Sequence, residues 1–265
     1  MKLTRLNVSL ERLEIGVSGA VPDRQDWSEP AMDRGVLEFV ALFSGLVLKY
    51  GGRIVHGSHP TFTPVILHQA RQHARERSRK PVTLVMSDLW ARAIPESELT
   101  SNADVAELIV TKAVGEGGPD NSKTRNASLS AMRQVLIRTQ NAMVAVGGKM
   151  HAGDNKVPGV DEEMKLAENW SIPRFLVGGL GGFSAQLASK LMPRSLRNGL
   201  SEEQNLSLFS SNDVAAAVNV LFEHLANIES SPLPIRQTAW DPRLRSIMSG
   251  DEVDAATTAL ISRVI

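Results

Sequence analysis

Residues 145–182 read AVGGKMHAGDNKVPGVDEEMKLAENWSIPRFLVGGLGG. Two apolar runs in this segment end in glycines, the first at Gly147-Gly148 and the second at residues 178–182. Each glycine turn leads toward a segment of helical composition, a pattern typical of parallel strands joined by helices. Because open α/β sheets bind ligands outside the carboxyl ends of their strands, the two turns predict a ligand cradle at that edge.

The same alternation of apolar strands and helical patterns continues on both sides of this segment. It predicts a Rossmann-like three-layer α/β sandwich, with a mainly parallel sheet and helices on both faces. Irregular structure is expected at residues 88–104, 115–123 and 193–212. The predicted strands are 13–21, 53–57, 81–87, 108–114, 142–146 and 174–177, and the predicted helices are 32–50, 62–79, 129–138, 160–170, 182–191 and 214–228.

The length of 265 residues and a hydrophobic content of 42% are sufficient for one large domain. We expect a nucleotide-binding domain over residues 1–230. The segment 231–265 is less core-like until its end, and we expect a helical tail that packs on the domain or on another subunit.

Composition limits the partners. Lys and Arg number 29 and are balanced by 29 Asp and Glu, so no basic surplus indicates nucleic-acid binding. A net charge of zero mildly favours self-association, and we expect a homo-oligomer. Cysteine is absent, no leader pattern opens the chain, and no apolar run reaches membrane-spanning length. We therefore expect a cytoplasmic protein without membrane contact.

An acidic cluster, Asp161-Glu162-Glu163, begins the helix between the two glycine turns. One interpretation is structural, because carboxylates in a first helical turn complement the helix dipole. The other is functional, because a carboxylate accepts bidentate hydrogen bonds from ribose hydroxyls and stabilises oxocarbenium-like charge at an N-glycosidic bond. The sequence leaves both open.

Other segments are expected to reach the same edge of the sheet: the Ser18-Gly19 turn, the Gly57-Ser58-His59 turn, and Arg133 on the helix before the strand at 142–146. His59 is predicted to contact a phosphate or a base. No metal site is expected, because no further cluster of ligating residues lies near the histidines. The predicted ligand-binding residues are Ser18, Gly19, Gly57, Ser58, His59, Arg133, Gly147, Gly148, Lys149, Gly159, Glu162, Glu163, Gly178, Gly179, Gly181 and Gly182.

Standard nucleotide and hydrolase motifs are missing. No Gly-Lys-Ser/Thr ending marks a P-loop, and no GxGxxG follows the first strand. Gly-x-Ser-x-Gly is also absent.

The chain resembles the SLOG superfamily, the Rossmann-like group that includes the "lonely guy" phosphoribohydrolases. Met132-Arg133 before NAMVAVGGK resembles the Met-x-x-Arg-Lys helix of those enzymes, and residues 158–163 (PGVDEE) resemble the later half of their Pro-Gly-Gly-x-Gly-Thr-x-x-Glu motif. The chain departs from that pattern by an insertion at residues 150–157, by the missing Gly-Thr, and by Gln134 in place of Lys.

The resemblance implies three hypotheses. The first is a prokaryotic signalling or antiviral-defence domain that senses a NAD-derived or ADP-ribose-like nucleotide, with phosphate on the amides near Gly148, Gly179 and Gly181. The second is an N-glycosidic hydrolase of nucleoside monophosphates, with Arg133, Glu162 and Glu163 as catalytic residues. The third is a scaffold for a separately encoded TIR or sirtuin-like effector. No cofactor is expected in any of them.

Overall fold

The computed structural model describes residues 9–23, 30–73, 79–150 and 157–229. The predicted tail at 231–265 lies outside these residues. Strands and helices alternate in the order β1 (Glu14–Ala20), α1 (Pro30–Lys49), β2 (Arg53–His56), α2 (Thr63–Gln72), β3 (Val82–Ser87), α3 (Asp88–Ala91), α4 (Glu96–Asn102), β4 (Ala106–Thr111), α5 (Ser122–Arg138), β5 (Ala142–Gly147), α6 (Gly159–Asn169), β6 (Arg174–Val177), α7 (Gly182–Ala188), a 3-10 turn (Pro193–Leu196), α8 (Glu202–Ser210) and α9 (Val214–Glu229).

The six strands form one parallel sheet in the order β4-β3-β2-β1-β5-β6. Strand β1 is central and pairs with β5 from Ile15↔Ala142 to Ala20↔Gly147. The strand order reverses between these two strands, because β2, β3 and β4 lie on one side of β1 and β5 and β6 on the other. Such a switch point leaves a crevice at the carboxyl ends of the two strands, where doubly wound folds bind ligands.

Helices cover both faces of the sheet, as the sequence predicts. Successive side chains of β5 point to opposite faces of the sheet and so belong to different hydrophobic cores. Val144 and Val146 belong to the core under α1, α2 and α9, whereas Met143 and Ala145 pack with α6 and α7. Helix α5 covers the second face over β2, β3 and β4, where Met132 and Leu136 pack on Val55. The Rossmann-like three-layer sandwich is therefore confirmed.

Two predicted irregular segments contain helices. The segment 88–104 holds α3 and α4, and 193–212 holds the 3-10 turn and α8. Side-chain caps start two of these helices: Ser87 accepts a hydrogen bond from Leu89 N–H, and Ser201 forms a capping box with Gln204. Helix α5 begins at Ser122 instead of residue 129, because Asn121 accepts hydrogen bonds from the Lys123 and Thr124 amides. None of the helices in the described ranges is long and apolar enough to cross a membrane.

Candidate functional site

A cavity of about 450 Å³ opens at the carboxyl ends of β2, β1 and β5. This volume lies within the range of small-molecule sites, which is roughly 300–1,000 Å³. Its walls come from the end of β1, the turn after β2, one face of α5, the turn after β5 and the first turn of α6. The residues that line it are Val17, Ser18, Gly19, Ala20, Asp23, His56, Gly57, His59, Arg125, Asn126, Leu129, Met132, Arg133, Gly148, Lys149, Val157, Pro158, Gly159, Val160 and Glu163.

Arg133 links α5 to the acidic start of α6. Its Nη1 lies 2.6 Å from Oε2 of Glu162, and its Nε lies 3.3 Å from Oε1 of Glu163. The side chains of Arg133 and Glu163 are each only 12% exposed. Glu163 lines the cavity, whereas Glu162 pairs with Arg133 outside the cavity lining. The structure thus separates two carboxylates that the sequence treats as equivalent.

Burial raises the pKa of Glu163 above its ordinary value, because a desolvated carboxylate is costly. The positive charge of Arg133 opposes this rise and Ser18 favours the charged form, whereas the neighbouring Glu162 adds to the rise. Ser18 Oγ is buried without reaching hydrogen-bond geometry to Glu163 or to another described residue. Glu163 is therefore a buried acid that faces the cavity and is held by a single guanidinium, an environment that suits proton transfer or charge stabilisation.

The first turn of α6 presents unused amides to the cavity. Pro158 occupies the N-cap position and supplies no side-chain hydrogen bond. Gly159 and Val160 line the cavity, and their N–H groups have no acceptor in the described part of the chain. Free amides at a helix N-terminus favour an anion, so the first turn of α6 is able to hold one.

Two histidines lie on the opposite side of the cavity, at the end of β2. His56 is buried, and its Nδ1 lies 2.8 Å from the carbonyl oxygen of Val17. Burial lowers the pKa of both residues, to about 4 for His59. Both imidazoles are therefore neutral at pH 7.

An ion pair lies beside His59. Lys149 Nζ, after β5, is 3.2 Å from Oδ1 of Asp23, after β1, and both side chains are about half exposed. Lys149 and Asp23 line the cavity. They bring one cation and one anion to its edge, so this side of the cavity carries little net charge.

The structure brings many of the predicted ligand-binding residues to the cavity and leaves others outside it. Ser58 is not in the lining; its backbone is left-handed, with φ 55°, and its Oγ is buried without a partner among the described residues. Residues at the cavity that the sequence predicted are Ser18, Gly19, Gly57, His59, Arg133, Gly148, Lys149, Gly159 and Glu163.

The glycines after β6 lie outside the cavity lining and serve packing. A Cβ atom on Gly179 would stand 1.9 Å from the carbonyl oxygen of Ser211, and one on Gly178 would stand 2.5 Å from Ala188 Cβ. A Cβ on Gly182 would stand 2.6 Å from the backbone of Gly147. The second glycine turn therefore supports the first one and α8, rather than forming a second wall of the cradle.

The amides of Gly148, Gly179 and Gly181, near which the sequence predicts a phosphate, already donate hydrogen bonds within the fold. The N–H of Gly148 donates to Ala20 O at 2.7 Å, that of Gly179 to Leu208 O at 3.1 Å, and that of Gly181 to Gly178 O at 3.0 Å. A donor occupied in the fold is not available to a ligand.

Sequence reasoning missed the α5 face of the cavity, in particular Arg125, Asn126 and Leu129. Arg125, Leu129 and Arg133 are spaced by four residues, so they lie on one helix face. This spacing is visible in the sequence, but a helix assumed to begin at residue 129 excludes Arg125. Asp23 was also missed, since nothing in its local sequence indicates its pairing with Lys149.

The fold and the cavity define a class: Rossmann-like α/β domains with a cavity at the switch point of a parallel sheet. The chain belongs to the SLOG cluster2 family, whose model matches residues 9–219. Membership supports a nucleotide-related Rossmann-like domain.

Among solved structures, the chain is similar to the X-ray structure of TM1055, a target of the Northeast Structural Genomics Consortium. The identity is 15% and the TM-score 0.47, over 80% of this chain and 99% of that one. No curated protein sequence matches the chain.

Proposed function

We propose that this domain binds a phosphorylated nucleoside, such as a NAD-derived or ADP-ribose-like molecule, and acts as a sensor of it. The observation that carries the proposal is the convergence of three groups on one cavity: the free amides of α6, the Arg133 guanidinium and the Glu163 carboxylate. The amides suit a phosphate, and the carboxylate suits ribose hydroxyls.

The charges of the cavity support this ligand class. Arg133 and Arg125 line one wall, so the cations that face a phosphate come from α5, whereas Lys149 at the edge is paired with Asp23. Guanidinium groups are well matched to phosphate oxygens because they donate two parallel hydrogen bonds. Glu163 would repel a second anion at its own position, which favours an uncharged polar group such as a ribose there.

A second function is favoured by the environment of Glu163. A buried carboxyl whose pKa is raised, and which faces a ligand cavity, suits acid–base chemistry on an N-glycosidic bond. In that reaction a water attacks C1′ of the ribose, the C1′–N bond breaks, and the leaving base takes up a proton. The products are the free base and ribose 5-phosphate, and Arg133 orients the carboxylate through its Nε contact.

Calorimetric titration with nucleoside monophosphates, NAD and ADP-ribose, combined with chromatography of the free base, separates the two functions. Binding without base release supports the sensor. Base release that Glu163→Gln abolishes supports the hydrolase. Glu203→Gln is the matched control, because Glu203 is an exposed acidic residue in the first turn of α8 and lies far along the chain from the cavity residues. Absence of both binding and release would contradict both functions and would favour a scaffold.

The sensor proposal includes a partner and an assembly. We propose that the ligand-bound domain self-associates and acts on a separately encoded TIR or sirtuin-like effector in a prokaryotic signalling or defence context. The resemblance to the SLOG branches of such systems supports this context. Light scattering with and without saturating ADP-ribose tests the assembly, and an unchanged monomeric mass in both conditions would contradict it.

A further inference from the structure

The two histidines at the end of β2 have opposite tautomers. His56 Nδ1 faces the carbonyl oxygen of Val17, which only accepts, so Nδ1 carries the proton. His56 Nε2 is then an acceptor, and it receives the backbone N–H of His59 at 3.1 Å. This hydrogen bond from the buried His56 ring fixes the backbone of His59 at the cavity wall.

His59 has the other tautomer because of Thr61. The Thr61 hydroxyl oxygen accepts from the Val21 N–H at 3.2 Å, and it lies 2.9 Å from His59 Nδ1. The Thr61 backbone N–H also donates to Nδ1, at 3.3 Å. Because Nδ1 accepts from Thr61, the ring proton is on Nε2. Nε2 has no acceptor in the part of the chain that the structure describes, and His59 lines the cavity.

The position of His59 complements that of the α6 amides. The turn that carries His59 follows β2, and the segment leading to α6 follows β5, on the other side of β1. The two groups therefore approach the cavity from opposite sides of β1, as the two ends of one elongated ligand require.

The two ends of the cavity also differ in the donors they offer. The α6 end offers helix amides beside Arg133, which is paired with Glu162 and Glu163, whereas the β2 end offers a neutral imidazole beside the Lys149–Asp23 ion pair. A phosphate gains more at the first end, and an uncharged acceptor suits a neutral donor at the second.

We propose that His59 is a specificity residue that donates a hydrogen bond from Nε2 to a ring nitrogen or carbonyl oxygen of the nucleobase, and that Thr61 positions it. This inference rests on the proposed nucleotide ligand and deepens it, because it assigns the base end of the site. Glu163 then lies between the two ends, at the ribose.

The test is calorimetric titration of the full chain with AMP, GMP, CMP and UMP, and with ribose 5-phosphate, which lacks a base. Loss of one neutral hydrogen bond in His59→Phe is expected to weaken the nucleotide that binds tightest by about tenfold. The same substitution is expected to leave ribose 5-phosphate within about twofold. His68→Phe is the control, because His68 is exposed on α2.

Two further variants separate donation from packing. His59→Gln places an amide N–H near the position of Nε2 and is expected to restore most of the nucleotide affinity. Thr61→Val keeps the shape of the side chain but removes the hydroxyl, and it is expected to weaken the nucleotide without changing ribose 5-phosphate binding. Circular dichroism melts verify that each variant is folded.

Equal losses for the nucleotide and ribose 5-phosphate would overturn the inference, because His59 would then contact the sugar phosphate. Unchanged nucleotide affinity in His59→Phe would overturn it as well, while leaving the proposed function intact. A wild-type chain that binds none of the five probes, and neither NAD nor ADP-ribose, would contradict the proposed function itself.

Discussion

Gly159 lies directly against the guanidinium of Arg133: a Cβ atom at Gly159 would stand 2.6 Å from Arg133 Nη2. The first residue of α6 therefore sets how closely α5 and α6 approach at the cavity. Arg133 reaches both Glu162 and Glu163 from this position. Gly159, which resembles an ordinary helix start in the sequence, is thus part of the geometry of the site.

Gly159→Ala is expected to weaken ligand binding without unfolding the domain. The group that must yield is the far end of a flexible side chain, and the φ of Gly159 is not positive, so Tm should change by no more than about 2 °C. Displaced Arg133 loses its contact with Glu163, and affinity for AMP or ADP-ribose should fall by about tenfold. Calorimetry measures the affinity.

Gly118→Ala is the matched control for this substitution, because nothing lies within 4 Å of a Cβ atom there. Both its affinity and its Tm should equal those of the wild type. If Gly159→Ala bound ligand as tightly as Gly118→Ala does, the packing of Gly159 on Arg133 would have no bearing on the site.

Glu163→Gln is expected to stabilise the fold at neutral pH. The pKa of Glu163 is raised in the folded state, chiefly by burial, so its ionised form costs more free energy in the fold than in the unfolded chain. Stability from this group is present below the unfolded pKa of about 4.3 and is lost as pH rises through the folded pKa. Removing the charge at pH 7.5 should raise Tm by about 2–4 °C, which corresponds to about 1 kcal/mol.

The pH dependence of the Tm difference between Glu163→Gln and the wild type provides an internal control. The Tm difference between Glu163→Gln and the wild type should shrink as the pH is lowered toward about 4, where the wild-type carboxyl is protonated in both states. Glu203→Gln, an exposed first-turn position of α8, should show a flat difference across the same range. A lower Tm for Glu163→Gln at pH 7.5 would mean that the ion pair with Arg133 outweighs the desolvation of Glu163.

The histidines at the end of β2 should give the opposite pH dependence. The pKa of His59 is lowered to about 4, chiefly by burial, and that of buried His56 is lowered too. For such groups stability is present above the unfolded pKa of about 6.5 and is lost as pH falls toward the folded pKa. For His59 the loss is at most about 3 kcal/mol, from the shift of its pKa.

Chemical denaturation of the wild type and of His59→Gln between pH 7 and pH 4.5 measures this contribution. The free energy of unfolding of the wild type should fall more steeply with decreasing pH than that of the variant, which retains only His56 at this position. Parallel curves for the two proteins would show that His59 titrates alike in the folded and unfolded states.

The parallel sheet could be predicted from the sequence because its strands are buried on both faces. The residues of β3, VTLVMS, and of β5, AMVAVG, are nearly continuous apolar runs bounded by polar or glycine turns. Helix α3 was missed because it has only four residues, DLWA, and α4 because its sequence, ESELTSN, is polar and shows no apolar periodicity. Helix α8 could have been found, since Ser201 and Gln204 have capping-box spacing in the sequence.

The sequence predicted the site in part, and the errors of that prediction have a common physical cause. A glycine that binds a ligand and a glycine that admits another backbone look alike in sequence. Gly148 and Gly159 line the cavity, whereas Gly178 and Gly179 admit α8 and the residues after it. Only the path of the chain beyond residue 193, which the sequence pattern left irregular, distinguishes the two cases.

This distinction leads to the last prediction. Gly179→Ala should destabilise the fold while leaving the ligand site unchanged, because its Cβ would meet the backbone oxygen of Ser211 at 1.9 Å and backbone cannot move aside cheaply. Overpacking of this kind costs about 1–3 kcal/mol, which lowers Tm by about 2–12 °C. Gly118→Ala again serves as the control for the effect of an added methyl group. Titrations at 10 °C, where the variant remains folded, should give the wild-type affinity for AMP or ADP-ribose. A variant with unchanged Tm but weakened binding would instead show that the turn after β6 forms part of the ligand site.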